Sequence, residues 1–324
     1  MRRLVPLALL LALVGLIALR SWTSDNLAPF RGQIQDVITL ALSLLIESLP
    51  FIVLGIGLSI VVQVFVPPSW LESWLPTNPF ARRAIVSLFG MFLPVCECGN
   101  VPLARGLMGR GYGVGDSVTF LFAAPIVNPV TIITTHQAFG FDDGILVARL
   151  VAGYLIANLL GWLFSLHPNP ESILTTQFVR ECALPATDRG DTKLQRVGSL
   201  FVSESTALMP ALTLGAFIAG AIQVGVSREV LLALGTDPIV SVMALIILAF
   251  VISVCANVDA FFILPFAQTF LPGSIVAFLV FGPLIDIKMV ALLRTTFAGR
   301  TIALMALVVG LCALGLGMVM NSAG

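Results

Sequence analysis

Apolar residues run along this chain in long unbroken tracts, without the strict alternation of strands. The tracts cover approximately residues 4–20, 34–66, 84–104, 114–139, 145–166, 199–226, 238–255, 259–284 and 287–320. A helix that crosses a bilayer needs about 20 mostly apolar residues, and most of the tracts reach that length. Within lipid every backbone polar group must be satisfied inside its own segment, so continuous apolar runs predict helices and exclude a barrel of alternating strands. The one long polar stretch, His167 to Gln195, interrupts this pattern near the middle. The pattern predicts an all-α polytopic membrane protein of about eight to ten hydrophobic segments. Its expected parts are an N-terminal helix and external loop over 1–33, a first membrane unit over 34–166, a cytoplasmic linker over 167–198 and a second unit over 199–324.

Composition agrees with lipid as the solvent. Of 324 residues, 58% are hydrophobic and 10% charged, against roughly 25% charged in an ordinary soluble domain. A mean hydropathy of +1.04 exceeds what one soluble core could hide. The formal net charge is zero, which excludes a broad basic face for nucleic acid. The five cysteines, Cys96, Cys98, Cys182, Cys255 and Cys312, are odd in number and mostly lie in apolar tracts. They do not form a secreted disulfide framework. Met1-Arg2-Arg3 followed by Leu4 to Leu19 has the start of a signal peptide, but Arg20-Ser21-Trp22 stands where a small-residue cleavage site belongs. The reading is an uncleaved first helix whose start is held in the cytoplasm by Arg2 and Arg3.

The two halves resemble each other. Pro50, Gly55 and Gln63-Val64 recur as Pro210, Gly215 and Gln223-Val224, each 160 positions later. Cys98-Gly-Asn-Val101 matches Cys255-Ala-Asn-Val258, and Phe120-Leu121 with Pro125 and Asn128 matches Phe278-Leu279 with Pro283 and Asp286. Matches in one order at nearly one offset predict an internal duplication. If the segment from Ile85 to Gly109 enters and leaves on one side, then Arg82, Arg83, Arg105, Arg110, Arg294, Arg300 and the linker all become cytoplasmic, as the positive-inside rule requires. A matching segment near 240–270 would then dip in from the opposite face. Each half has an odd number of crossings on this count, so the repeats are inverted, with a binding site near the midplane between them.

The richest chemistry lies where helices are expected to break. Leu93-Pro-Val-Cys-Glu-Cys-Gly-Asn-Val-Pro102 places a carboxylate between two thiols in a stretch punctuated by Pro94, Gly99 and Pro102. Its counterpart is Ser253-Val-Cys-Ala-Asn-Val-Asp259, and a second broken pair is Ala124-Pro-Ile-Val-Asn-Pro129 with Gly282-Pro-Leu-Ile-Asp286. Proline removes donors and frees backbone groups, which membranes tolerate only against protein or a water-filled cavity. Glu97, Asp259, Asp286 and Lys288 fall in or beside apolar tracts, where a charge costs roughly 2.5–3.5 kcal/mol on insertion scales. Asp286 and Lys288 are placed to neutralise each other. Glu97 and Asp259 are the better proton carriers, and the plainer alternative is that these groups tie broken helices together by hydrogen bonds. Glu47 and Glu204 lie near the starts of long helices, where helix-start electrostatics explains them as well as function does.

Cys96, Cys98 and Cys255 are either small packing residues or, if the halves meet, three sulfurs at one point. Soft thiolates select soft ions, and a trivalent arsenical suits two or three of them. Neither a fourth thiol nor a local histidine completes a structural zinc site, and no Walker motif is present. No metal, cofactor or catalytic residue is therefore expected. Asn100, Asn128 and Asn257 would add uncharged hydrogen bonds to a small-molecule or ion substrate. A membrane thiol-redox protein using Cys96 and Cys98 is the rival reading.

Pro94-Val-Cys-Glu-Cys-Gly-Asn-Val-Pro102, followed by Ala123-Ala-Pro-Ile-Val-Asn-Pro129 and Gly282-Pro-Leu-Ile-Asp-Ile-Lys288, resembles the predicted-permease family that includes ArsP and YraQ. The resemblance covers about 34 to 320. It implies a multi-pass permease of the bacterial cytoplasmic membrane. By its ArsP-type members it implies efflux of trivalent organoarsenicals (arsenic resistance), with Cys96 and Cys98 as recognition thiols and Cys255 as a third. Other metal or sulfur-containing solutes are the alternative cargo.

Overall fold

The computed structural model describes residues 31–67, 75–93, 95–141, 143–183, 193–225 and 237–323. The expected first helix over 4–20 lies outside the described residues, as does Pro94. The described residues are helical, with no strand beyond an isolated bridge between Leu174 and Phe297. Five helical stretches are long and apolar enough to cross a membrane: Gly32–Phe65, Val114–Phe139, Ile145–Ser165, Lys193–Gly225 and Gly299–Ser322. Ile239–Ile252 and Pro272–Phe281 are shorter apolar helices. The chain is a multi-pass membrane protein.

In chain order the helices are α1 (Arg31–Phe65), α2 (Pro79–Ser87), α3 (Glu97–Gly109), α4 (Val114–Val127), α5 (Pro129–Phe139) and α6 (Ile145–Ser165). The short α7 (Thr176–Ala183) precedes α8 (Lys193–Gly225), α9 (Pro238–Ile252) and α10 (Asp259–Ile263). Finally come α11 (Pro272–Phe281), α12 (Ile287–Leu293) and α13 (Gly299–Ala323). Capping explains several boundaries. Asn78 accepts from Phe80 N–H to start α2, and Asp237 accepts from Ile239 and Val240 N–H to start α9. Those two donors hold the Asp237 carboxyl below its usual range. Arg110 donates to the Val62 and Gln63 carbonyls of α1 and to that of Val66 just beyond it, and Gln223 donates to Val251 and Ile252 at the end of α9.

Helix α1 packs along α8 and against α3. Within each half the packing corresponds: α4 lies on α6 as α11 lies on α13, and α2 touches α4 and α6 as α9 touches α11 and α13. Across the halves, α3 meets α12 and α5 meets α10. Glycines permit the closest of these crossings. A Cβ on Gly55 would collide with the backbone of Gly99, and one on Gly99 would lie 2.6 Å from the Phe51 carbonyl oxygen. A Cβ on Gly106 would run into Ser59 Oγ, whose hydroxyl donates to the Pro102 carbonyl at 2.7 Å. Gly55→Val is accordingly expected to lower stability by about 1–3 kcal/mol, the usual range for overpacking. Thermal unfolding of detergent-purified protein measures it, and an unchanged midpoint would rule the crossing out as a constraint.

The breaks differ in detail from expectation. Gly99 and Pro102 do not interrupt the chain: α3 runs through both, because Gly99 serves helix–helix contact and Pro102 sits early in the helix. Leu93, Val95 and Cys96, just before α3, are non-helical. Likewise α4 continues through Pro125, and the chain turns only at Asn128. Residues 253–258 and 282–286 are non-helical, as the second-half motifs predict. Glu47 stands 16 residues into α1 and Glu204 11 residues into α8, so neither is a helix-start charge. Part of the polar stretch over 167–195 is folded onto the helical body: Phe178 and Ile173 are buried, Thr175 N–H donates to the Thr296 carbonyl, and Ala298 N–H to the Ile173 carbonyl.

Candidate functional site

The two Cys-x-Asn-Val elements meet. Helix α3 begins at Glu97, with Cys96 in extended conformation just before it. The sulfurs of Cys96 and Cys98 and a carboxylate oxygen of Glu97 all lie within 4.8 Å of one another, and all three residues are buried. The Cys96 thiol lies beside those of Cys98 and Cys255, one from each half. One oxygen of Glu97 accepts from Ala256 N–H at 3.4 Å, so the carboxylate bridges the two halves. Cys98 Sγ also lies 4.0 Å from Ser48 Oγ on α1. Cys182 and Cys312 stand apart, in α7 and α13.

The remaining break supplies an acid and a base. Asp286 caps α12 through Oδ1, which accepts from Met289 N–H. Ser253, the one non-glycine residue with positive φ among the described residues (φ 53°), ties the breaks together. It ends α9, and its hydroxyl accepts from Ile287 N–H at 3.2 Å. A left-handed conformation costs a side-chain-bearing residue roughly 1–2 kcal/mol, strain of the kind that collects at functional sites. Lys288 is fully buried on the first turn of α12. Lys288 and Asp286 make no direct ion pair, so the expected mutual neutralisation is not a contact.

Several buried polar atoms here have no hydrogen-bond partner among the described residues: Glu97 Oε1, both amide atoms of Asn100, Asp286 Oδ2 and Lys288 Nζ. Buried polar groups are almost always satisfied, and a charged one left bare is costly. A cluster of them beside three thiols has the composition of a binding site for a polar or soft solute. Pro102 adds to it, since its missing N–H leaves the Cys98 carbonyl without its helical donor.

Other expected site residues are engaged elsewhere. Asn128 Nδ2 donates to the Val95 carbonyl at 2.7 Å and more weakly to that of Leu93, while Oδ1 accepts from Val130 N–H. Its amide clasps the break ahead of α3. Asn257 is half-buried and accepts from Thr131 Oγ1 at 3.2 Å. Asp259 is gripped by Arg149, with Nη1 donating to Oδ1 at 2.9 Å and Nη2 to Oδ2 at 2.6 Å. Both residues are buried, and Arg149 also donates to Thr135 Oγ1 at 2.7 Å. This bidentate pair fastens α10 to α5 and α6.

Arg149, Arg105 and Ser253 were not foreseen in the roles they occupy, and Glu47 was weighed only between a helix-start charge and a functional one. Arg149 was discoverable as a lone charge inside the apolar tract 145–166. Arg105, expected only to mark the cytoplasmic side, is 2% exposed and bonds Glu204 and Glu181 at 2.9 Å each, Thr296 Oγ1 at 3.1 Å and the Thr295 carbonyl. Its guanidinium also stacks on Phe178. Glu47 faces a cavity of about 300 Å³ with Ser43, Gln223, Val254 and Phe262, one residue from the Ser48–Cys98 contact. Ser253 gave no signal, since a serine at positive φ looks like any other serine.

Comparison with known proteins agrees with this architecture. The chain is 34% identical over 273 residues to the UPF0718 protein YcgR of Bacillus subtilis, covering 82% of this chain and 90% of that protein. It is 29% identical over 277 residues, 84% of this chain and 90% of the relative, to a Streptococcus mutans protein named as a two-component membrane permease complex subunit. The UPF0718 protein YraQ of Escherichia coli matches over 34% of this chain and 32% of its own length at 30% identity. No solved structure matches. Bacterial relatives fit a place in the cytoplasmic membrane. The family model described as a predicted permease, ArsP_1, matches residues 33–322, and this chain belongs to that permease family.

Proposed function

We propose that this permease is a secondary transporter whose cargo binds at the cluster of Cys96, Cys98 and Cys255, and that an outward-moving trivalent methylated arsenical is the cargo that the cluster fits best. The observation that carries this reading is the convergence of thiols from both halves beside buried polar atoms without partners. Soft sulfur donors select soft acceptors. Two thiols condense with a methylarsonous acid by forming two As–S bonds and releasing two waters, each thiol proton leaving with one hydroxyl. Arsenic stays trivalent, no oxidant is consumed, and hydrolysis returns cargo and thiols on the far side.

Among the carboxylates, Asp259 is matched by Arg149, whereas Glu97 keeps one bare oxygen at the thiols. Proton coupling is therefore assigned to Glu97, with Asn100, Asp286 and Lys288 completing the polar wall. The cavity at Glu47 serves as an approach to Cys98. The two halves act as inverted repeats, a reading supported by the reciprocal contacts of α3 with α12 and α5 with α10. Such a site transports and does not catalyse.

A soft metal ion is the second reading, favoured by the 4.8 Å grouping of Cys96, Glu97 and Cys98, to which Cys255 adds a third sulfur. Flux of methylarsenite and of cadmium into proteoliposomes, with cysteine labelling followed in the same vesicles, tests both. Cys96→Ser and Cys98→Ser are each expected to cut flux of the true cargo at least tenfold, a loss of about 1.4 kcal/mol of binding or more. That cargo should protect both thiols from labelling. Undiminished flux of both solutes in the variants would reject the thiol site, and redox cycling of Cys96 and Cys98 without flux would favour a thiol-redox protein instead.

A further inference from the structure

We propose that a groove on the outer surface of α8 holds one anionic phospholipid, its phosphate on Arg294 and one acyl chain along α8. The groove has a volume of about 660 Å³, and none of the cysteines lines it. Its wall on α8 is a stripe from Ala207 through Ala211, Leu214 and Ile218 to Ile222, continued by Phe250 of α9. At the rise of 1.5 Å per residue this stripe is roughly 22 Å long, more than half the thickness of a bilayer core of about 30 Å. Leu214, Ile218 and Ile222 remain exposed, so the groove opens sideways to lipid.

Its polarity is graded. Arg105 bonds both Glu204 of α8 and Thr295, which fixes Arg294 and Thr295 at the Ala207 end. Thr175 and Gln177 line the groove, and Thr175 Oγ1 donates to the Thr295 carbonyl at that end. Arg294 is the only ionisable residue in the lining and makes no ion pair among the described residues. Its guanidinium lies over Gly299, where any Cβ would displace it. A single unmatched cation at the head of an apolar channel, open to lipid, complements an anionic headgroup with a chain below it. The guanidinium fork suits phosphate geometry. The floor is formed by Ile287, Val290 and Ala291, so a lipid seated here bears on the helix that carries Lys288.

Native mass spectrometry of the full-length protein, titrated with phosphatidylglycerol or phosphatidylcholine of identical chains, tests the assignment. One bound phosphatidylglycerol is expected, preferred over phosphatidylcholine roughly fivefold, as about 1 kcal/mol per basic residue implies. Arg294→Gln should bring that preference near unity, and Ala211→Trp should lose the bound lipid while keeping Arg294. Should Ala211→Trp not fold, Ile218→Trp at an exposed position fills the same channel. Equal retention of both lipids by the unaltered protein, or a preference that survives Arg294→Gln or the filled channel, overturns the proposal.

Discussion

Replacing Arg149 with methionine is expected to destabilise the protein by about 3–5 kcal/mol, because it strands a buried carboxylate. Arg149 and Asp259 are 0% and 2% exposed in their side chains, and two hydrogen bonds join them. Water cannot replace the guanidinium at that depth. The companion expectation is that Arg149→Met combined with Asp259→Leu recovers much of the loss, since the doubly apolar site leaves no charge unmatched. Unfolding midpoints of the two variants in one detergent decide the matter. A double variant no more stable than Arg149→Met would mean that the pair is not a self-contained unit.

Asn100→Leu should act in the opposite sense on stability and function. Asn100 is wholly buried, and neither amide atom has a partner among the described residues. An unsatisfied buried polar group costs about 1–3 kcal/mol, so a similarly sized apolar side chain is expected to raise stability by on the order of 1 kcal/mol. Transport should nevertheless fall tenfold or more, because the bare amide is assigned to the cargo. A stabilised protein that carries no cargo is the signature of a site held open at the expense of stability. Loss of stability in Asn100→Leu would instead make Asn100 a structural residue.

The helical, multi-pass character was legible because lipid imposes one rule on every segment: a continuous apolar run must close its own hydrogen bonds. The meeting of the two Cys-x-Asn-Val elements was foreseen only conditionally, from matching words in the two halves. The order of the breaks was harder to read. Glycine and proline have several uses, and Gly99 and Pro102 proved to be a contact residue and an in-helix proline. Partner choice among charges was harder still. Asp259 reads the same whether bare or paired, and only the position of Arg149, 110 residues earlier, separates the cases. Asn128 likewise looks like a ligand in sequence and is a clasp in space.

The glycine crossing of α1 and α3 constrains how a site of this kind can open. With backbone against backbone at Gly55 and Gly99, and Ser59 seated on Gly106, the two helices touch at three points that leave no room for a side chain. If the proposed thiol site opens by alternating access, Cys96 and Cys98 part from Cys255 with least loss of packing when α3 and the 35-residue α1 tilt together.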